Sequence, residues 1–273
     1  MRETPRPQGT AGDAGPELPQ RRPGRAFAHT TGASGSGTPH RSDGRSPQTP
    51  RGVRQTGPTG RPGTTPPVPG RPALLLSLAL SLLALFALTT WQVAADGPLR
   101  GLDERTGRAV VGHGPARLTE FLADLGNMQI ALPVLGCAIA WALVRGARRE
   151  PLLAALTMGA VPLLVVPLKV WVARPGPLTD ATGHFPSGHA ATAAVAYGAA
   201  ALLVAPYVRR SWSWVMPAAA VLLTTATGIG LVLRGYHWPL DVLGSWFLCG
   251  PLLLPLGLSC RSRRRSSSRT PRC

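Results

Sequence analysis

The run A-L-L-L-S-L-A-L-S-L-L-A-L-F-A-L-T-T-W, Ala73 to Trp91, decides what kind of protein this is. No charge interrupts it, and it is close to the roughly twenty residues a helix needs to cross a bilayer core. A cleaved signal peptide is the rival reading. The stretch before the run is very long for a positively charged leader, and the run exceeds a usual signal core, so it reads as an anchor that stays.

Working outward, five more apolar runs follow, at about 128–144, 151–173, 188–207, 214–233 and 239–258. Pro133, Pro162 and Pro167 fall inside them, which membrane helices tolerate when neighbours satisfy the freed carbonyls. The expected fold is all-α, a six-transmembrane helical bundle spanning residues 71–259. Residues 1–70 are rich in Pro, Gly, Ser, Thr and Arg and nearly free of large apolar side chains. Such a segment buries too little surface to offset its chain entropy, and a disordered basic tail is expected there. Residues 260–273 form a second basic tail.

The formal net charge is +17. In a soluble protein that would suggest nucleic acid. Here the arginines sit in the tails and in short connections, so no nucleic-acid partner is expected. The tail, the Arg145/Arg148/Arg149 connection, the Arg209-Arg210 connection and the end from Arg261 fall on one side of six crossings, which the positive-inside rule makes cytoplasmic. A multi-pass cell-membrane protein with both termini cytoplasmic follows. The opposite side receives 96–127, helical near 115–125, then 174–187 and the short turn 234–238. Trp91, Trp171, Trp212, Trp214, Trp238 and Trp246 lie mostly near run ends, as an interfacial belt does. The four cysteines form no C-x-x-C pair and read as unpaired thiols.

Two polar stretches reach that opposite side: F-P-S-G-H, Phe185 to His189, and R-G-Y-H-W-P-L-D, Arg234 to Asp241. Lys169, the sole lysine of the chain, ends the third run at the same level. Its plainer reading is a snorkelling side chain; its sharper one is a point cation for an anionic partner. Ser187 is a good helix N-cap. The first-turn amides beyond it also suit an anion, and Gly188 lets an oxyanion come close. His189 then projects beside that cradle. His237 and Asp241 stand four apart, so a carboxylate can fix the imidazole's tautomer. Structural glue is the alternative for that pair, and the ligand count makes a poor metal site. Together the set suits phosphoryl transfer: groups that hold a phosphate, one histidine that attacks and one that protonates.

These residues resemble the type 2 phosphatidic acid phosphatases, integral-membrane lipid phosphate phosphatases, whose pattern runs K-x6-R-P, P-S-G-H and S-R-x5-H-x3-D. The resemblance spans about residues 73–258. It implies His237 as a nucleophile forming a phosphohistidine, Asp241 orienting it, and His189 protonating the leaving group. It implies Lys169, Ser187 and Gly188 as phosphate ligands, with no metal and no cofactor. The substrate implied is a lipid phosphate or diphosphate, such as phosphatidic acid, phosphatidylglycerol phosphate or undecaprenyl diphosphate, met at the outer face. Two arginines of the pattern are displaced. Gly176 and Leu231 stand at their positions, while Arg174 and Arg234 lie nearby and are expected to take over phosphate binding. A phosphotransferase, a non-catalytic lipid-phosphate-binding protein and a transporter are the alternatives.

Overall fold

The computed structural model describes residues 70–267. Apart from Gly70, the tail expected to be disordered lies outside the described residues, as does the chain from residue 268 on. Among the described residues the regular elements are all helical: α1 (Arg71–Ala94), α2 (Pro98–Val110), α3 (Ala116–Asp124), α4 (Met128–Val144), α5 (Arg149–Val172), α6 (Gly188–Val204), α7 (Val215–Leu233) and α8 (Pro239–Ser267), with two short 3₁₀ turns between α6 and α7.

Local chemistry sets the helix ends. Pro72, Pro98 and Pro239 occupy first-turn positions, where a missing N–H costs nothing. Asn127 caps α4 by accepting from Gln129 N at 3.2 Å, and Ser187 caps α6 by accepting from Ala190 N at 3.2 Å. The last residue around α5, Ala173, adopts a left-handed conformation with φ 47°. With Pro175 just beyond, the helix cannot continue. α8 runs past the expected end of the membrane domain at residue 259, so that boundary falls inside a helix.

Among the described residues five helices are each long and apolar enough to span a membrane, and the pair α3–α4, bent by 46° at its break, meets the same test when taken together. This is a multi-pass membrane bundle. α6 is its centre, packed against α4, α5, α7 and α8, while α1 lies on α8. The reason is side-chain size: Ala190, Ala191, Ala193, Ala196 and Ala199 are wholly buried on α6. Where lipid removes any hydrophobic drive between helices, small residues allow the backbone proximity that dispersion rewards. Gly230 on α7 shows the limit, since a Cβ there would stand 2.3 Å from Ala123 N on α3.

The connections sort to two ends. At one, Arg145 stacks over Tyr207 with 5.1 Å to the ring centroid, and Arg263 donates to the Arg145 carbonyl at 3.1 Å. The arginine-rich connections α4–α5 and α6–α7 therefore meet the end of α8. At the other end, Gly112 N donates to Leu233 O at 2.8 Å and Ser187 N to Asp241 O at 3.0 Å. The 96–127 connection holds two helices rather than the one read from sequence. Trp91, Trp171, Trp212 and Trp214 are exposed near helix ends, as a belt requires. Trp238 is not: it is 3% exposed and braced against α2, where a Cβ on Gly107 would lie 2.6 Å from its ring.

Candidate active site

At the end away from the arginine-rich connections, a cavity of about 510 Å³ is lined by Lys169, His184, His189 and His237, with Asp124 and Leu231 among its other walls. Six elements contribute these side chains: α3, α5, the α5–α6 connection, α6, α7 and the α7–α8 turn. The two histidines singled out in the sequence, remote along the chain, face the same space.

Lys169 lies in the last turn of α5 and donates from Nζ to the Gly183 carbonyl at 2.7 Å. That bond draws the 173–187 connection over the cavity. Gly188 opens α6 next to it: a Cβ there would meet nothing closer than Lys169 Cε at 3.9 Å. The first-turn amides of α6 are thus approachable from the lysine side, as an anion would approach them. Ser187 is fully buried. Its hydroxyl accepts the cap bond from Ala190 N, and its carbonyl accepts from Ser245 Oγ at 2.8 Å. Ser245 Oγ also donates to the Asp241 carbonyl at 2.8 Å, so the starts of α6 and α8 are stitched together.

His237 precedes α8, and Asp241 lies in its first turn. Asp241 Oδ2 accepts from Trp238 N at 3.0 Å, the reach-back half of a capping box. A tryptophan side chain cannot serve the other half. Asp103 of α2 does so, accepting from Leu240 N at 2.8 Å through Oδ1. The same Asp241 Oδ2 stands 3.5 Å from His237 Nδ1, long for a hydrogen bond. That Nδ1 is buried and has no hydrogen-bond partner among the described residues. Hydrogen bonds of this kind are often loose before substrate arrives.

Arg174 is not among the residues lining the cavity. It is 1% exposed, and its two terminal nitrogens reach two carboxylates: Nη1 to Asp241 Oδ1 at 2.6 Å and Nη2 to Asp103 Oδ2 at 2.7 Å. Its guanidinium also lies 5.4 Å from the Trp238 ring centroid. The physical reason is charge: two acids buried side by side attract the nearest fork-shaped cation. Even so, burial outweighs Arg174 at Asp103 and holds its carboxyl above the usual range. Arg234 is drawn elsewhere too. It stands at the end of α7, 2.5 Å from Glu120 Oε2 on α3, and is absent from the cavity lining. Neither displaced arginine lines the space it was expected to serve. Leu231 is 1% exposed and packs with Ala123, Ala190 and Val242, an apolar plug at an arginine position.

Sequence reasoning missed three residues. Asp103 sits on α2, a short helix outside the apolar runs, on a face whose partners lie far along the chain. Asp124 ends α3 at the cavity wall. His184, five residues before His189, carried the one usable signal: a titratable side chain next to the Phe185-Pro186-Ser187-Gly188-His189 run.

Residues 150–265 match the family model of the PAP2 superfamily. The fold is similar to that of a transmembrane PAP2-type phosphatidylglycerolphosphate phosphatase from Bacillus subtilis, with a TM-score of 0.56 and 24% identity over 72% of this chain and 98% of that one. No curated protein matches the chain.

Proposed function

From the PAP2-superfamily segment and the cavity its residues line, we propose that the chain hydrolyses a lipid phosphate or diphosphate, without a metal, at the outer face of the cell membrane. The observation that carries this reading is that His189, His237 and Lys169 share one cavity at the end away from the arginine-rich connections. The positive-inside rule puts that end outside the cell.

The phosphate lies against Lys169 Nζ and the first-turn amides of α6. Asp241 accepts the Nδ1 proton of His237, which leaves Nε2 as the nucleophile. Nε2 attacks phosphorus; a P–N bond forms as the bond to the lipid oxygen breaks, and His189 gives that oxygen its proton. Water then attacks the phosphohistidine, returning a proton to His189 and releasing phosphate. A second cavity of about 510 Å³ supports the lipid nature of the substrate. It shares Lys169 and His189 with the first and continues between Met158, Val161 and Val165 of α5 and Thr192 of α6.

The test is phosphate release from lipid phosphates by the detergent-purified chain in EDTA. Wild type turns over; H237A and H189A fall by at least about a hundredfold, as removal of a general acid or nucleophile predicts. Binding without turnover by the wild type would favour a non-catalytic lipid-phosphate receptor, the reading that the two engaged arginines lend weight to.

A further inference from the structure

His184 is used by nothing in the scheme above, yet it is built into the cavity. Its backbone N–H donates to the Arg174 carbonyl at 3.0 Å, and the carbonyl of its neighbour Gly183 is held by Lys169. The loop is therefore pinned on both sides of the ring. That ring stands 5.6 Å from the His237 ring, centroid to centroid, with 62° between planes. Its Nδ1 is buried and has no hydrogen-bond partner among the described residues. Its far edge fits against Gly176, where a Cβ would lie 2.6 Å from Nε2. An arginine at 176, as the resemblance would have it, and this placement of His184 exclude one another.

The charge balance points the same way. Of the residues lining the cavity, Lys169 is the one lysine or arginine. Arg174 and Arg234 are held by carboxylates, and Leu231 is an apolar plug. A phosphate dianion seated there is left short of positive charge. We propose that His184 is a third phosphate-facing imidazole, which takes up a proton as phosphate binds and supplies, beside Lys169 and the proton-donating His189, a positive charge that no arginine supplies here. The proposal rests on the phosphate-site reading given above.

The groups that face His184 come from every side: His237 and Asp241 from the α7–α8 turn and α8, Lys169 from α5, with His189 of α6 and Asp124 of α3 on the same cavity. Burial first and the neighbouring His237 second hold its pKa below the ordinary histidine value. A bound dianion reverses the sign of the local field. By linkage, what raises the proton affinity of His184 makes protonated His184 bind phosphate more tightly. Each unit of pKa rise is worth about tenfold in affinity.

Isothermal titration of the full chain with inorganic phosphate tests this. The wild type should lose about tenfold more affinity than H184Q between pH 6 and pH 8. The second ionisation of phosphate itself acts on both proteins and cancels in the ratio. Binding heats in buffers of different ionisation enthalpy should show greater proton uptake by wild type than by H184Q. G176A, which pushes a methyl group into the ring, should reproduce the H184Q behaviour by an independent route. A pH-independent ratio, or equal proton uptake by wild type and both variants, overturns the proposal. Lipid turnover by the wild type, measured alongside, judges the hydrolase reading separately.

Discussion

Replacing Arg174 by alanine separates two roles for it. In the structure it is a clamp on two buried carboxylates. Its bonds to Asp241 and Asp103 measure 2.6 and 2.7 Å, and its side chain is 0% exposed against 0% and 2% for the two acids. Hydrogen bonds to charged groups contribute about 1.5–3 kcal/mol each, so two bring the loss to about 3–6 kcal/mol. Breaking a buried pair by removing one partner costs about 3–5 kcal/mol, which agrees. For a domain of this size each kcal/mol moves the melting temperature by about 2–4 °C, so R174A should melt roughly 6–20 °C lower. R174K keeps the charge but loses the fork, and should recover only part of that. The assay is thermal unfolding in detergent, followed by tryptophan fluorescence, with phosphate affinity measured on the same samples below the transition. If R174A melts within about 2 °C of wild type while phosphate affinity collapses, Arg174 is a ligand after all and the clamp reasoning fails.

Two further perturbations follow. Because the Gly188 Cβ position is open apart from Lys169 Cε at 3.9 Å, G188A should fold with an unchanged melting temperature yet raise KM several-fold by crowding the phosphate; an unchanged KM would show that no anion approaches there. Asp103 has a raised pKa, burial being the first cause, so its ionisation favours the native state less than the unfolded one. Its stabilising share is complete below the ordinary value near 3.8 and declines as pH rises through the raised value. Between wild type and D103N, the stability gap should therefore widen toward acid, and a gap that narrows toward acid would contradict the sign.

How much of this was legible beforehand depended on how far each cause reached along the chain. The spans were legible because lipid demands an unbroken apolar length, which Ala73 to Trp91 displays on its own. Ser187 was legible because a cap acts on the third residue ahead. The grouping of Lys169, His189 and His237 followed from arginine asymmetry and an even count of crossings. Arg174 was not legible: its partners lie 67 and 71 residues away, one of them on α2, a short helix whose place against α8 only the folded chain shows. For Arg234, the argument from helical neighbours stopped with the helix. α7 ends at Leu233, and Glu120 of α3 was waiting just beyond. His184 needed the room left by Gly176, a vacancy that only coordinates reveal.

Asp103 touches both Arg174 and Leu240, yet it precedes the stretch matched by the superfamily by some way, since that stretch begins at residue 150. A fragment excised at that border would carry every histidine of the cavity and still be unfinished. Its guanidinium would keep one of two anchors, and the first turn of α8 would lose an acceptor from outside itself. A portable unit of this protein must therefore reach back at least to the aspartate on α2, well upstream of the motifs that advertise the chemistry.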